Sequence, residues 1–239
     1  MSDWILAIDT STEACSCALG NAESSIYRYI DVPRKHAEKV LPMVDELMSE
    51  AAITRGQLNA IAFGRGPGAF TGLRIAASAV QGLAFALDVP VIPISSLQAL
   101  AQRADREFGD EFTFDSAIAA IDARMGEIYW GVFGLGDQGL MVPVGEEQLT
   151  APINVSLNKN NQKESDLNSV IGIGTGWQYQ NQMGADCIAL KQVKAESFTH
   201  ALDILNLSWS RYRSGDMESV EKALPVYLRN NVAHKPSKT

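Results

Sequence analysis

Hydrophobic and polar positions form short blocks through the first hundred residues, and glycine, proline or polar turns separate them. Apolar runs and alternating patterns predict strands, whereas apolar residues spaced three and four apart predict helices. The predicted order is β-β-β-α-β-α-β-α, which implies a partly parallel sheet covered by helices. The predicted strands are 4–9, 14–20, 24–30, 59–64 and 90–95, and the predicted helices are about 35–50, 71–87 and 96–107.

The opening strand and turn recur in the second half of the chain. Ala7-Ile8-Asp9 and Ala120-Ile121-Asp122 each precede a short turn and a returning strand. This repeat predicts two related lobes. We expect a first lobe at 1–109, a second at 110–231 whose C-terminal segment packs back, and a disordered tail at 232–239.

Two later segments complete the prediction. The strongly polar stretch at 154–168 predicts a weak helix followed by an exposed loop before a strand at Val170-Ile171. A helix is predicted from about 197 to 212, and Ser214-Gly215 is a suitable C-cap for it.

A glycine-rich segment from Gly64 to Ile75 leaves an apolar strand and enters a helix of small residues. Its glycines and its proline need special backbone angles or close approach to other backbone. A glycine-rich loop at a helix N-terminus can hold an anion, but the phosphate-loop pattern ends in Gly-Lys-Ser/Thr and this segment has Gly72-Leu73-Arg74. We favour tight backbone packing, and phosphate binding stays the alternative.

Composition narrows the function. The formal net charge of −8, with lysine and arginine scattered, makes the chain a poor candidate for the main binder of a nucleic acid. Three cysteines, an odd number, argue against a disulfide framework and for a reducing compartment. No apolar run reaches the ~20 residues of a membrane span, and the N-terminus has no basic region of a secretory leader. We therefore expect a cytoplasmic protein without a membrane contact.

The sequence contains little evidence for a hydrolytic active site. His36, His200 and His234 are the only histidines, and no two of them have helical ligand spacing. We therefore expect no metal and no cofactor, and a metalloprotease is rejected. The sequence has no Gly-x-Ser-x-Gly motif for a serine nucleophile.

The predicted helices at about 35–50 and 71–87 have apolar surfaces that would pack against another element. Residues of the first follow the i, i+3, i+4, i+7 spacing, and the second is nearly without charge after Arg74. A helix that is apolar all round is normally buried on every side. One face meets the sheet, so the other contacts either more of this chain or another protein.

Five segments together resemble the TsaB (YeaZ) family, bacterial partners in making the threonylcarbamoyl modification on tRNA adenosine beside the anticodon. They are Ile5–Thr12, Gly64–Ile75, Ala120–Trp130, Gly172–Trp177 and Pro225–Asn230. The resemblance implies a two-lobed α/β fold of the actin/Hsp70/sugar-kinase (ASKHA) type, with mixed sheets covered by helices, and the repeated strand and turn agree with this fold.

The resemblance also implies a role and partners. The chain would be a scaffold and activator without catalysis of its own, with TsaD as catalytic partner, TsaE as ATPase partner and TsaC as supplier of threonylcarbamoyl adenylate. tRNA would be reached only through the complex. The helix pair would pack against TsaD or, in isolation, against a second copy, through Val40, Leu41, Val44, Leu47, Met48, Ala77, Val80, Gln81 and Ala84.

A nucleotide-dependent phosphotransferase or ATPase is the alternative. In an actin-like fold the turns after the two repeated strands face the phosphates, so the candidate residues of a degenerate nucleotide site are Asp9, Ser11, Asp122, Gly174 and Gly176. The first turn lacks a glycine and a basic residue, and Glu13 would repel phosphate. We favour structural capping by the two aspartates at the strand ends.

Overall fold

The computed structural model describes residues 3–31, 34–109, 112–156 and 169–229. The predicted tail and most of the polar stretch at 154–168 lie outside the described residues. The strands are β1 (Trp4–Asp9), β2 (Ala14–Gly20), β3 (Ser25–Asp31), β4 (Leu58–Gly66), β5 (Val91–Ser95), β6 (Ser116–Asp122), β7 (Ile128–Leu135), β8 (Met141–Pro143), β9 (Gln148–Thr150), β10 (Val170–Ile173) and β11 (Val193–Lys194). The α-helices are α1 (His36–Glu50), α2 (Phe70–Leu87), α3 (Ser96–Phe108), α4 (Ala185–Ile188) and α5 (Ala201–Ser214), and a 3-10 segment covers Thr175–Gln182.

The first sheet has the strand order β3-β2-β1-β4-β5. Strands β1, β2 and β3 form an antiparallel meander in which Asp9 lies opposite Ser16. Strands β4 and β5 then add in parallel to β1. These parallel pairs confirm the prediction of a partly parallel sheet. Helices α1 and α2, which follow β3 and β4, are the crossover connections that parallel strands need.

The second sheet has the order β11-β10-β6-β7-β8, and β9 also pairs with β7. The antiparallel pair of β6 and β7 repeats that of β1 and β2, with Asp122 opposite Ile128. Strand β10 pairs with β6 in parallel, as β4 does with β1. Each sheet therefore contains one strand-turn-strand unit with a parallel neighbour, and the predicted mixed α/β fold with two helix-covered sheets is confirmed.

Helices cover the first sheet on both faces. Helices α1 and α2 pack on one face against a core that includes Leu6, Ile8 and Phe63. On the other face α5 packs against Ile5 and its neighbours together with part of α3. The rest of α3 packs against the second sheet. Helix α3 thus lies between the sheets, and the chain returns through α5 to the first sheet.

Helix α5 begins later than the predicted 197 because the residues before it have other partners. His200 is extended (φ −144°), and its side chain accepts a hydrogen bond from the amide of Leu202 as an N-cap. Thr199 contacts β1 instead. The helix ends at Ser214, and Gly215 has the left-handed φ of 75° expected of a C-cap.

Helix α2 is apolar enough to be compared with a membrane span. Its 18 residues have a mean hydropathy of 1.4, so by length and composition alone it is the one helix among the described residues that could cross a bilayer. A single helix of this kind is weak evidence for a span. Helix α2 connects two neighbouring strands and packs on their sheet. Its apolar composition therefore matters most for the surface that faces away from the sheet.

Candidate functional site

The turn after β1 is enclosed by the rest of the chain. Asp9, Thr10 and Ser11 are fully buried. Thr199 donates from its hydroxyl to Oδ2 of Asp9, whereas Oδ1 has no hydrogen-bond partner in the described part of the chain. Burial raises the pKa of Asp9, and hydrogen bonds from Thr199 and Ser11 oppose that shift. Asp9 therefore lies in the interior of the protein.

The glycine-rich segment packs directly on this turn. The amide of Ala69 donates to the carbonyl of Ser11 at 2.7 Å, and the hydroxyl of Thr10 donates to the carbonyl of Gly72 at 2.7 Å. A Cβ at position 72 would lie 1.9 Å from the Thr10 carbonyl oxygen, and one at position 68 would lie 2.3 Å from that of Ser11. Backbone carbonyls thus occupy the start of α2, and the prediction of tight backbone packing is confirmed.

The turn after β6 has the opposite environment. Oδ1 of Asp122 accepts from the amide of Arg124 at 2.9 Å, so this aspartate caps its own turn. The amide of Asp122 donates to the hydroxyl of Thr175 at 3.0 Å. Arg124 and Met125 have left-handed φ values of 63° and 58°, and Met125 is 72% exposed. This turn forms one rim of a cleft between the sheets.

The predicted glycine turn at 172–176 is filled by protein. A Cβ on Gly174 would lie 2.3 Å from the carbonyl oxygen of Ala120, and one on Gly176 would lie 2.6 Å from a methyl of Ile128. Trp177 lies against Gly172 and donates its indole N–H to the carbonyl of Ile118. These glycines allow close packing on β6 rather than opening a space for an adenosine.

A cleft of about 330 Å³ separates the two turns. Arg124 bridges it, because its Nη2 lies 2.8 Å from Glu13 of the first turn and its Nη1 lies 3.2 Å from Asp122 of the second. Arg229 pairs with Glu127 on the same rim. The structure brings Ser11 and Asp122 to this cleft, while Asp9 is not among the residues that line it.

The cleft has few groups for catalysis. No cluster of three or more histidine, cysteine, aspartate or glutamate side chains suitable for a metal occurs among the described residues. Its acids, Glu13 and Asp122, both pair with Arg124, and Tyr129 and Tyr227 supply aromatic walls. The cleft is therefore spanned by an ion-pair bridge between the two turns.

Most of the predicted helix-pair residues face inward, which corrects the prediction that they form a surface stripe. Seven of these side chains are at most 5% exposed, and all of them except Ala77 belong to the core under the first sheet; they are Val40, Val44, Leu47, Met48, Ala77, Val80 and Ala84. Gln81 donates to the carbonyl of Ala223 at 3.0 Å, so the C-terminal segment covers it. Of the predicted set, Leu41 is exposed, at 49%. Periodicity identified a shared face, and that face meets the sheet.

The outer side of the same helix pair carries a different apolar surface. A groove of about 540 Å³ lies between α1 and α2. Leu41 of α1 and Ile75, Ser78 and Ala79 of α2 line it. Phe85, 79% exposed, lies on the same side of α2 as Ser78, about two turns further along the helix. A Cβ on Gly82 would meet no atom within 4 Å, so this side of α2 is open. We call these residues the outer groove.

Sequence reasoning missed a cluster at the end of the outer groove. The guanidinium of Arg74 lies 3.8 Å from the ring centre of Phe70, and its Nε donates to the hydroxyl of Tyr227. The rings of Phe70 and Tyr227 are 5.3 Å apart. The available signal was the pair of motifs that contain these residues, but 153 positions separate Arg74 from Tyr227, so no local pattern joins them.

Comparisons with known proteins match nearly the whole chain. The family model "TsaD: tRNA N6-adenosine threonylcarbamoyltransferase" matches residues 30–237. The chain is 37% identical over 231 residues to "tRNA threonylcarbamoyladenosine biosynthesis protein TsaB" of Escherichia coli (strain K12), covering 97% of this chain and 96% of that protein. The protein of the same name from Haemophilus influenzae is 36% identical, with 97% and 95% covered. The solved structure "YeaZ from Pseudomonas aeruginosa" has a TM-score of 0.86 and 45% identity, with 95% of this chain and 100% of that chain covered. The resemblance found in the sequence is confirmed.

Proposed function

We propose a role for this chain from the premise that it belongs to the TsaB family of tRNA threonylcarbamoyladenosine biosynthesis proteins. It is a scaffold and activator subunit that binds the catalytic subunit TsaD through the outer groove. The binding favours the active arrangement of TsaD, because a partner that binds one conformation more tightly raises its population.

The exposed apolar surface of α1 and α2 is the observation that carries this proposal. Leu41, Ile75 and Phe85 lie on a surface with few charges, although the chain as a whole is acidic. A contiguous apolar patch on a soluble protein marks an interaction site, and the open side at Gly82 allows a partner helix to approach closely. The groove therefore suits a helix pair of another protein.

The same groove is proposed to pair with a second copy when TsaD is absent, so that the homodimer and the TsaD complex compete. TsaE is proposed to join as the ATPase of a ternary complex. The chain reaches tRNA through this complex and binds it weakly alone, in keeping with its net charge of −8. We place the protein in the cytoplasm with this machinery.

We further propose that the chain has no catalytic activity of its own. Asp9 is buried beneath Gly64, and the turn after β1 offers carbonyl oxygens to the start of α2. Both features oppose a phosphate at the position where an actin-like phosphotransferase would hold it, because carbonyl oxygens repel an anion and the buried Asp9 does not line the cleft. The purified chain with ATP and Mg²⁺ should show no turnover above a buffer blank. Turnover lost in Asp122→Asn at unchanged melting temperature would favour the phosphotransferase.

The interface is tested by charges placed on the outer and inner sides of the helix pair. Leu41→Glu and Phe85→Glu should keep the wild-type melting temperature and weaken TsaD binding at least tenfold, because each buries an unpaired carboxylate in the complex. Lys39→Glu is the matched control, since it lies two positions from Leu41 and so on another side of α1. It should bind normally.

The readouts are the mass of the complex by light scattering and the modification of tRNA by the reconstituted proteins. Modification should fall in step with binding. Wild-type binding by both Leu41→Glu and Phe85→Glu would contradict the outer groove as the interface. Val44→Glu is unsuitable for this purpose, because Val44 is 1% exposed and its substitution would unfold the chain.

A further inference from the structure

Among the residues that the structure describes, one edge of the first sheet has no further strand paired to it. At the β5 edge, Val91 exchanges two backbone hydrogen bonds of 2.9 Å with Glu218. At the other edge, β3 pairs only with β2, and within the described residues no other element forms a backbone hydrogen bond with Ser25–Asp31. An open edge strand is a template for pairing with another chain.

The hairpin fixes which backbone groups of β3 face outward. The amide of Asn21 donates to the carbonyl of Ser24, which makes these two a hydrogen-bonded pair at the turn. Such pairs alternate along an antiparallel ladder, so Ile26, Arg28 and Ile30 bond to β2. The amides and carbonyls of the alternate residues point away from the sheet; these are Ser25, Tyr27, Tyr29 and Asp31. Of these groups, the Tyr27 carbonyl accepts a hydrogen bond from Nη1 of Arg28 at 3.1 Å, which a second copy would have to replace.

The sequence of β3 is self-complementary. Ile26-Tyr27-Arg28-Tyr29-Ile30 is the same in both directions, and Arg28 is the middle of the seven-residue strand. A two-fold axis through Arg28 would place Tyr27 opposite Tyr29 of a second copy and Ile26 opposite Ile30 of that copy. Aromatic and β-branched cross-strand pairs stabilise a sheet, and a two-fold contact needs such self-complementarity.

We propose that a second copy of this chain pairs with β3 edge to edge, antiparallel, about an axis at Arg28. The contact joins the two five-stranded sheets into one continuous sheet. It is separate from the outer groove, and it does not depend on the proposed function.

The strand is held in the conformation that this pairing needs. On one face, the rings of Tyr27 and Tyr29 each lie 4.9 Å from the ring of His200, the first edge-on and the second stacked. On the other face, Ile26 and Ile30 pack against the core under α1. An ordered edge loses little conformational freedom on pairing.

Charge at the axis is also compatible with two copies. Arg28 would face its own copy, which alone would be repulsive. Its guanidinium already contacts Glu46 at 3.1 Å and Glu50 at 2.5 Å on α1. The two arginines would therefore share four carboxylates, so the pair of copies offsets the like charges at its centre.

Cysteine cross-linking tests the register. Residues at the axis form a non-hydrogen-bonded pair with Cα atoms about 4.5 Å apart, within the range for a disulfide. Arg28→Cys should therefore form a covalent dimer under mild oxidation at least tenfold faster than Ser25→Cys. Ser25 is the control because it is exposed on the same strand, but it would lie opposite Asp31 of the second copy rather than its own counterpart. The wild type gives the background, since Cys15, Cys17 and Cys187 are buried.

A second measurement removes the backbone pairing. Tyr27→Pro deletes an outward amide without touching the β2 ladder, and Tyr27→Ala keeps that amide. In a Leu41→Glu background, where the outer groove cannot pair, sedimentation should show dimers for the parent and for Tyr27→Ala and monomers for Tyr27→Pro with its melting transition intact. Equal cross-linking of Arg28→Cys and Ser25→Cys, or a monomeric parent at all concentrations, would overturn the proposal and leave the edge to an extended segment of another protein. Neither result would affect TsaD binding through the outer groove.

Discussion

The two strand-turn-strand units have the same local plan and opposite surroundings. Each ends its first strand in an aspartate that contacts a distant threonine: the carboxylate of Asp9 accepts from the hydroxyl of Thr199, and the backbone amide of Asp122 donates to the hydroxyl of Thr175. After β1 the turn is buried beneath the glycine-rich segment. After β6 it is open to solvent, and Met125 is 72% exposed.

This difference shows how one duplicated unit acquires two roles. In the first copy, the glycines bring the start of α2 against the carbonyls of the turn, so the unit joins β1 to α2. In the second copy, Arg124 leaves the turn and reaches Glu13 across the cleft. The first turn is a packing joint, and the second is a contact between the sheets. The following variants test this contrast.

The largest effect is expected where a glycine touches the first turn. Gly72→Ala would place a Cβ 1.9 Å from a backbone oxygen, so the backbone must move and the free energy of unfolding should fall by about 3 kcal/mol or more. Gly126→Ala in the second turn meets no atom within 4 Å and has φ +75°, so it should lose only about 1–2 kcal/mol. Urea denaturation of both variants measures the difference, and equal losses would contradict the contrast.

The second-largest difference in stability is expected between variants of the two threonines that bond to the aspartates. Thr199→Val removes the donor to the buried Asp9, and an unsatisfied buried group costs about 1–3 kcal/mol. Thr175→Val removes an acceptor for the amide of Asp122, which is near solvent, and should cost about 0.5–1 kcal/mol. Valine keeps the shape of threonine, so thermal melts of both variants compare the hydrogen bonds. A larger loss for Thr175→Val would make the second unit the more tightly packed one.

Asp9 should also make stability depend on pH. Burial raises its folded pKa above 3.8, so its favourable contribution is present below the unfolded pKa and is lost as pH rises through the folded pKa. Asp9→Asn lacks this titration. The stability of the variant relative to the wild type should therefore increase with pH above about 4, by at most about 1.4 kcal/mol per pH unit. Denaturation at several pH values measures this slope, and a relative stability that falls with pH would reverse the sign of the assigned shift.

The smallest effect is expected for the bridge across the cleft. Arg124 is largely exposed, and exposed ion pairs contribute less than about 1 kcal/mol. Arg124→Ala should change the melting temperature slightly, and the change should shrink in high salt because salt screens surface charges. Arg55→Ala, which removes another exposed pair with Asp45, is the control. A loss as large as that of Gly72→Ala would mean that the bridge, rather than the packing, holds the sheets together.

Local patterns predicted most of the fold. The strand at 4–9, the duplicated Asp122 strand and the C-cap at Gly215 follow from alternation, repetition and a turn residue, and these signals act over a few neighbouring residues. The late start of α5 was missed because Thr199 and His200 are drawn to other elements. Sequence alone does not contain that competition.

The candidate site was harder to predict for a physical reason. Periodicity showed that Val40, Val44 and Leu47 share a face, but the same spacing serves a sheet of the same chain or a helix of another protein. The residues of the outer groove have a weaker pattern, because Glu38 and Asp45 lie one helical turn from Leu41 on its side of α1. The bridge from Arg124 to Glu13 joins residues 111 positions apart, and only the assembled fold brings them together.

The exposed ring of Phe85 has a consequence for the amount of this protein that a cell retains. A subunit whose apolar surface is uncovered tends to aggregate and to engage chaperones and proteases. Newly made copies without a partner are therefore expected to be removed faster than assembled ones. The amount of this chain would then follow the supply of whatever covers α2, so that subunit proportions are balanced after translation.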